Sequence, residues 1–387
     1  TENKAEIAAD RISVDVNNAN GRTEGISVAG ASRDKKVETV LNGNVDVKSH
    51  GKDYALGIYS AGNAAVKVSG DVVMKDANGW AVDNGNTGYG YYGASGLYAG
   101  SDYTIQKGGS IDVAGAVDLK VNGNGIFANG GGSTVNVASG GTIEVNKNSD
   151  KGYMALVAQS GVVNMNMNAA GSGYAAHKAA IKGNIGVLRG AVNAAEPFKE
   201  TSVNLGLGTA DSTFHGVVMN NFTDQDRTDG FTGKASLYMA GGSVWTNEAY
   251  GQTVQNFAGS VVENFAGSAD ADRAAHIVQK DTHDLTINNY SGNAAVWYEH
   301  SGNGESAGDF KAGSTIIKRA AEGAVVTMST DSSGIRLEND SAVEKVFDNL
   351  AGKLQYLSSD QKESETTASA RRKRSLTPGN LTARLQI

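Results

Sequence analysis

Cysteine is absent from the 387 residues, proline occurs only twice, aromatics make up 7%, and no run of about 18 apolar residues occurs. Each absence excludes something. Without cysteine there is neither a disulfide scaffold nor a thiolate metal site, and a chain exported through an oxidising space runs no risk of premature bridging. Without a long apolar run nothing spans a membrane as a helix. Thr1 is followed by no basic and apolar leader, so an exported protein would need its signal upstream of this sequence. Proline cannot donate to a β-ladder, and its scarcity suits a chain made mostly of internal strand.

What fills the space is glycine, at 51 residues, and a hydrophobic fraction of 40%, too high for a disordered chain. The pattern is plainest from Asp112 to Asn148. Val113, Val117, Leu119 and Val121 are followed by Ile126 and Phe127, then Val135 and Val137, then Ile143 and Val145, each group ended by Gly, Asn or Ser. Alternation of period two gives short strands with one buried face, and Gly, Asn and Ser supply the turns. Such a unit cannot bury its face alone, so neighbouring units must stack on it.

A mark of Gly followed by apolar residues recurs at Gly25-Ile26, Gly57-Ile58-Tyr59, Gly96-Leu97-Tyr98 and Gly125-Ile126-Phe127, and a shifted copy lies at Met154-Ala155-Leu156-Val157. The glycines are 57 − 25 = 32, 96 − 57 = 39 and 125 − 96 = 29 residues apart. A kept core mark with unequal spacing describes a coil whose turns accept insertions. At the 29-residue spacing the coil has roughly 12 turns and is on the order of 55 Å long, at about 4.8 Å per layer. Asn220, Asn221, Asn247, Asn288 and Asn289 follow strands and are expected to form stacked ladders. Tyr174 to Ile181 reads either as a short helix or, from its small residues, as a turn in a narrow rung.

Net charge is −7, but residues 358–387 carry six bases against three acids, leaving −7 − 3 = −10 on residues 1–357. An acidic body repels phosphate backbones, so nucleic acid is not an expected partner.

Near the end the period changes. Val343, Val346, Phe347, Leu350 and Leu354 fall at helical spacing, Ser341 and Glu344 resemble a capping box, and Gly352 marks a stop. A helix over 341–357 is expected to cover the last coil turn. Residues 358–380 read as a flexible basic loop, and 381–387, "LTARLQI", as the start of a further strand, which makes the chain read as a piece of a longer protein.

This glycine- and asparagine-rich β-coil, closing on "VEKVFDNLAGKLQYL" and then "NLTARLQI", resembles the passenger of a type V autotransporter near the junction with its outer-membrane barrel. The resemblance covers nearly the whole chain. It implies an all-β, right-handed parallel β-helix (β-solenoid) over residues 1–340 and a short C-terminal helix. It also implies display on a bacterial surface or secretion, adhesion to host cells or other bacteria through a surface glycan, a protein or self-association, and attachment to the outer membrane through a barrel outside this sequence. No cofactor, metal or catalytic residue is implied.

Local chemistry is sparse. Trp80, Tyr89, Tyr91 and Tyr92, in the glycine- and tyrosine-rich stretch 79–100, read either as a partner-binding aromatic loop or as rings packed on the coil edge. Asp224, Asp226 and Asp229, with Arg227 between them, suggest a carboxylate pair or a calcium loop, but they lie in one loop rather than on successive rungs, and the calcium-loop spacing is off by one. A solvated acidic turn is the simpler reading. His50, His177, His215, His276, His283 and His300 show no ligand spacing. The run Arg371, Arg372, Lys373 and Arg374 reads as a processing site, a contact to an anionic surface, or a solvated loop. The expectation is a non-catalytic binding protein, and the alternative a glycan-degrading β-helix enzyme.

Overall fold

A computed structural model describes residues 3–77, 79–84, 92–102, 106–190, 200–253, 257–270, 272–301, 309–331, 340–357, 371–377 and 380–386. Strand accounts for 61% of it, and 20 parallel strands wind nearly closed around an axis. The fold is a parallel β-helix.

Its turns can be counted on one face. Strands Asn3–Asn18, Val37–Gly51, Ala64–Val68, Ser110–Val113, Asn124–Val137, Leu156–Met165, Glu200–Leu207, Thr232–Met239, Ser260–Ala266, Leu285–Ser291, Thr315–Ala320 and Leu354–Tyr356 pair in parallel, each with the next. That makes twelve layers, as the repeat spacing implied. The long strands also serve adjoining faces, because the chain bends at a corner without losing its ladder.

Alternation places one apolar column inside each face. On the first, Leu41, Val68, Val113, Val137, Met165, Leu205, Leu237, Phe265 and Tyr290 stack layer on layer, all at most 2% exposed. On the second, Leu119, Ile143, Ile181, Phe214, Trp245, Ile277, Val296 and Met328 do the same. Phe214 and Trp245 stack with centroids 5.8 Å apart, and the indole N–H donates to the Gly216 carbonyl at 2.9 Å. A parallel coil puts like residues above one another, so one substitution meets the same chemistry above and below.

The glycine marks stack as well. Ile26, Ile58, Leu97, Ile126 and Leu156 form one column of the third face. A Cβ on Gly57 would lie 2.6 Å from the Gly96 carbonyl oxygen, and one on Gly96 2.8 Å from that of Gly125. Glycine is needed here because successive corners approach closely, not because the backbone is left-handed.

The C-terminal end departs from the sequence expectation in three ways. The helix is Asp340–Gly352, not 341–357, and Leu354 lies on the strand Leu354–Tyr356, which pairs with Thr315–Ala320. The helix is thus inserted before the last layer, and the coil continues past residue 340. Its packing is as expected: Val346, Phe347 and Leu350 are buried and Val343 is half-buried, with Phe310 against Val346 and Phe347. Finally, Arg371–Thr377 is a strand, not part of a loop over 358–380, and forms an antiparallel hairpin with Asn380–Gln386. That second strand pairs antiparallel with Val325–Asp331. Tyr174 to Ile181 forms no helix and enters the strand Ala179–Lys182.

Candidate functional site

On the first face the residue before each inward apolar residue points outward. Asp112, Asn136, Asn164, Asn204, Ser236, Asn264, Asn289 and Arg319 occupy that position in successive layers. Asn136 donates its amide to the Asp112 carboxylate at 2.7 Å, Asn164 to Asn136 Oδ1 at 2.8 Å, and Asn204 to Asn164 Oδ1 at 2.8 Å. Further on, Asn264 donates to Ser236 Oγ and Asn289 to Asn264 Oδ1, each at 3.2 Å. Every amide points its donor toward the preceding layer, so the ladder has a direction. Asp112, a pure acceptor, begins it, and Arg319, a pure donor, takes the last position.

Beside the ladder's last four layers lies a cleft of about 390 Å³ lined by Tyr238, Asn264, Ala266, Asn289, Ser291 and Arg319. Tyr238, Ala266 and Ser291 share one register column, so the cleft opens where a large side chain is followed by two small ones. Arg319 is exposed, with no described carboxylate within ion-pairing distance.

A second cleft, of about 380 Å³, is lined by Glu248, Gln279, Lys280, Glu299, His300 and Lys311. Glu248 follows the strand Val244–Asn247 and Glu299 follows Asn293–Tyr298, two layers further along the same face. Glu248 lies 3.3 Å from His215 Nε2. His300 Nε2 lies 2.9 Å from Asp331 Oδ1, and its Nδ1 is buried with no partner among the described residues.

The residues singled out from sequence are used elsewhere. Tyr92 packs on Phe127 at 5.8 Å and donates to Gln159 Oε1 at 2.7 Å. Trp80 is half-buried with the Lys120 ammonium 5.4 Å over its ring, while Tyr89 and Tyr91 lie outside the described residues. Tyr92 and Trp80 therefore take the packing role. Tyr92 covers an outward apolar column of Tyr59, Tyr98, Phe127 and Val157.

Asp224, Asp226 and Asp229 form no carboxylate pair across layers. Asp224–Thr228 is a one-turn helix, in which the Thr223 N–H donates to Asp226 Oδ2 at 2.8 Å and the Asp226 N–H donates back to Thr223 Oγ1 at 3.2 Å. Arg189 donates to Asp226 Oδ1 at 3.1 Å and lies 3.5 Å over the Phe231 ring. The Thr223 N–H, helped by its hydroxyl and by Arg189, holds the Asp226 carboxyl below its ordinary value. Asp226 is thus occupied as a cap. Among the described residues, no three His, Asp or Glu side chains are gathered to hold a metal ion.

Of the asparagines expected to stack, only Asn289 lies on the ladder. Asn247 donates instead to Gln279 at 2.6 Å on another face, and Asn220 to the Gly233 carbonyl at 2.9 Å. The basic run Arg371, Arg372, Lys373 and Arg374 sits on the outer strand of the C-terminal hairpin.

No family model, curated protein or solved structure matches this chain. The functional reading therefore rests on the residues themselves.

Proposed function

We propose that this chain is a surface-displayed adhesive rod, a passenger like those of type V autotransporters, which binds a glycan or protein on host or bacterial cells without altering it. The reading includes outer-membrane attachment through a barrel beyond this sequence. The observation that carries it is the Asn and Ser ladder. Between Asp112 and Arg319 it repeats uncharged hydrogen-bonding side chains at the layer spacing, half-buried apart from the buried Ser236, and is suited to many weak contacts with an extended ligand. Such a surface has no acid or base placed for chemistry. The test is a glycan and cell-binding screen with the purified, labelled chain. Saturable binding that falls when Asn136 and Asn204 are both replaced by lysine supports the reading, and binding indifferent to that change counts against it.

A glycan-degrading enzyme is the second reading, favoured by one observation. Glu248 and Glu299 come from different layers and line one cleft. Two layers correspond to about 9.6 Å along the axis, just above the roughly 6.5–9.5 Å range for an inverting carboxylate pair. Release of reducing sugar that is abolished by both Glu248→Gln and Glu299→Gln would favour it.

A further inference from the structure

The geometry points to a subsite for an acidic oligosaccharide in the cleft between Tyr238 and Arg319. This rests on the adhesive reading and names the ligand class for one stretch of the rod.

Three features of the cleft converge. Tyr238 is half-buried, and among the described residues its ring stacks on no other aromatic and its hydroxyl has no partner. An aromatic face of this kind packs against the apolar face of a sugar ring while its hydroxyl reaches a polar group. The smaller Ala266 and Ser291 follow in the same column and leave room for the ring. Tyr238 and Arg319 lie on strands three layers apart, about 14 Å along the axis at about 4.8 Å per layer, long enough for a short oligosaccharide.

The polar groups are also accounted for. Asn289 uses its amide N–H on the Glu263 carbonyl at 2.9 Å, the Glu263 carboxylate at 3.1 Å and Asn264 at 3.2 Å. Its Oδ1 accepts from no described residue and is left for a sugar hydroxyl. Ser291 Oγ donates to the Phe265 carbonyl at 3.4 Å and keeps its lone pairs. Glu263, the acid on this side, is already held by the amides of Asn288 at 2.7 Å and Asn289 at 3.1 Å.

Arg319 decides the charge of the ligand. The body of the chain carries a net negative charge, which disfavours anions in general, so attraction for one must be local. Many basic groups here are neutralised, as Lys67 is by Glu38 at 2.7 Å and Lys182 by Glu144 at 3.1 Å. Arg319, at the donor end of the ladder, presents a planar fork of N–H groups with no described carboxylate to receive it. That fork fits a uronate carboxylate or a sulfate equally.

The test is calorimetric titration of the intact chain with three tetrasaccharides: heparin-derived, galacturonate and neutral glucan. Expected is binding of one or both acidic probes, at least about tenfold tighter than the neutral one and weakened by salt. Arg319→Gln is expected to bring acidic binding down to the neutral level, and Tyr238→Ala to weaken all three. Lys318→Gln changes a neighbouring exposed base outside the cleft and should change nothing. Circular dichroism on each variant checks that the coil is intact. Binding of the galacturonate probe shows that a carboxylate suffices, binding of the heparin-derived probe alone points to its sulfates, and either supports the subsite. Acidic binding unchanged in Arg319→Gln, or reduced as much in Lys318→Gln, overturns it. If the chain binds cells but none of the three probes, the subsite fails and the adhesive reading stands; if it binds neither, both fail.

Discussion

Asn204 donates its side-chain amide to Asn164 Oδ1 at 2.8 Å, one full turn of the coil away, and Asn164 donates onward to Asn136 at the same distance. Asn164→Ala therefore orphans two half-buried groups at once, the Asn136 acceptor and the Asn204 donor. The expected cost is about 1–3 kcal/mol in denaturant unfolding. Asn164→Asp keeps the acceptor for Asn204 but sets a carboxylate against Asn136 Oδ1. It should cost more than alanine at neutral pH and recover once the new carboxyl is protonated. A neutral result for both variants would mean that the ladder contributes nothing to holding the layers together.

Gly57 and Gly79 form a matched pair. A Cβ at Gly57 would meet the Gly96 carbonyl and the Met74 side chain, each at 2.6 Å, whereas one at Gly79 has nothing within 4 Å. Gly57→Ala should cost roughly 1–3 kcal/mol, and Gly79→Ala should leave the melting temperature unchanged. Equal effects would show that close stacking of corners is not why glycine recurs there.

The coil, its layer count and the buried face of the C-terminal helix were legible because they rest on local alternation and helical spacing. Val113, Val137 and Met165 are visible in the sequence as alternating apolar residues, whatever they stack on. Register is different. Asn136, Asn164 and Asn204 share one register position although they are 164 − 136 = 28 and 204 − 164 = 40 residues apart, and no local feature separates them from Asn220 or Asn221. Leu354 fits the helical stripe, but the helix ends at Gly352, and the strand that Leu354 begins carries no local mark. The basic run read as a loop because its charge is conspicuous, while its strand partner, Asn380–Gln386, lies beyond a turn. The clefts at Tyr238 and at Glu248 assemble from layers far apart in sequence, so spacing could not reveal them.

Phe347 is 6% exposed and packs with Val346, Val343 and Phe310 over the end of the coil. Phe347→Ala should cost roughly 3–5 kcal/mol. The loss should be local, seen as faster hydrogen exchange over 340–356 with protection kept in the strands Glu200–Leu207 and Thr232–Met239. Unchanged exchange at the helix would remove its role as a cover.

Asp226 supplies the pH dependence. Its carboxyl titrates below the ordinary aspartate range in the folded chain. Its contribution is therefore fully present above the unfolded value and is lost as pH falls through the depressed folded one. On acidification the Thr223 cap and the Arg189 contact should loosen together, followed by amide shifts at Thr223 and Asp226. In Asp226→Asn this transition should vanish. Its persistence in that variant would assign it to another group.

The central claim is that the rod binds without cutting. It is tested most directly by incubating the purified chain with a surface glycan to which it binds and then recovering that glycan for mass analysis. The account predicts saturable binding and a glycan recovered at its original length. Shortened or unsaturated saccharides, lost on Glu248→Gln or Glu299→Gln, would contradict it.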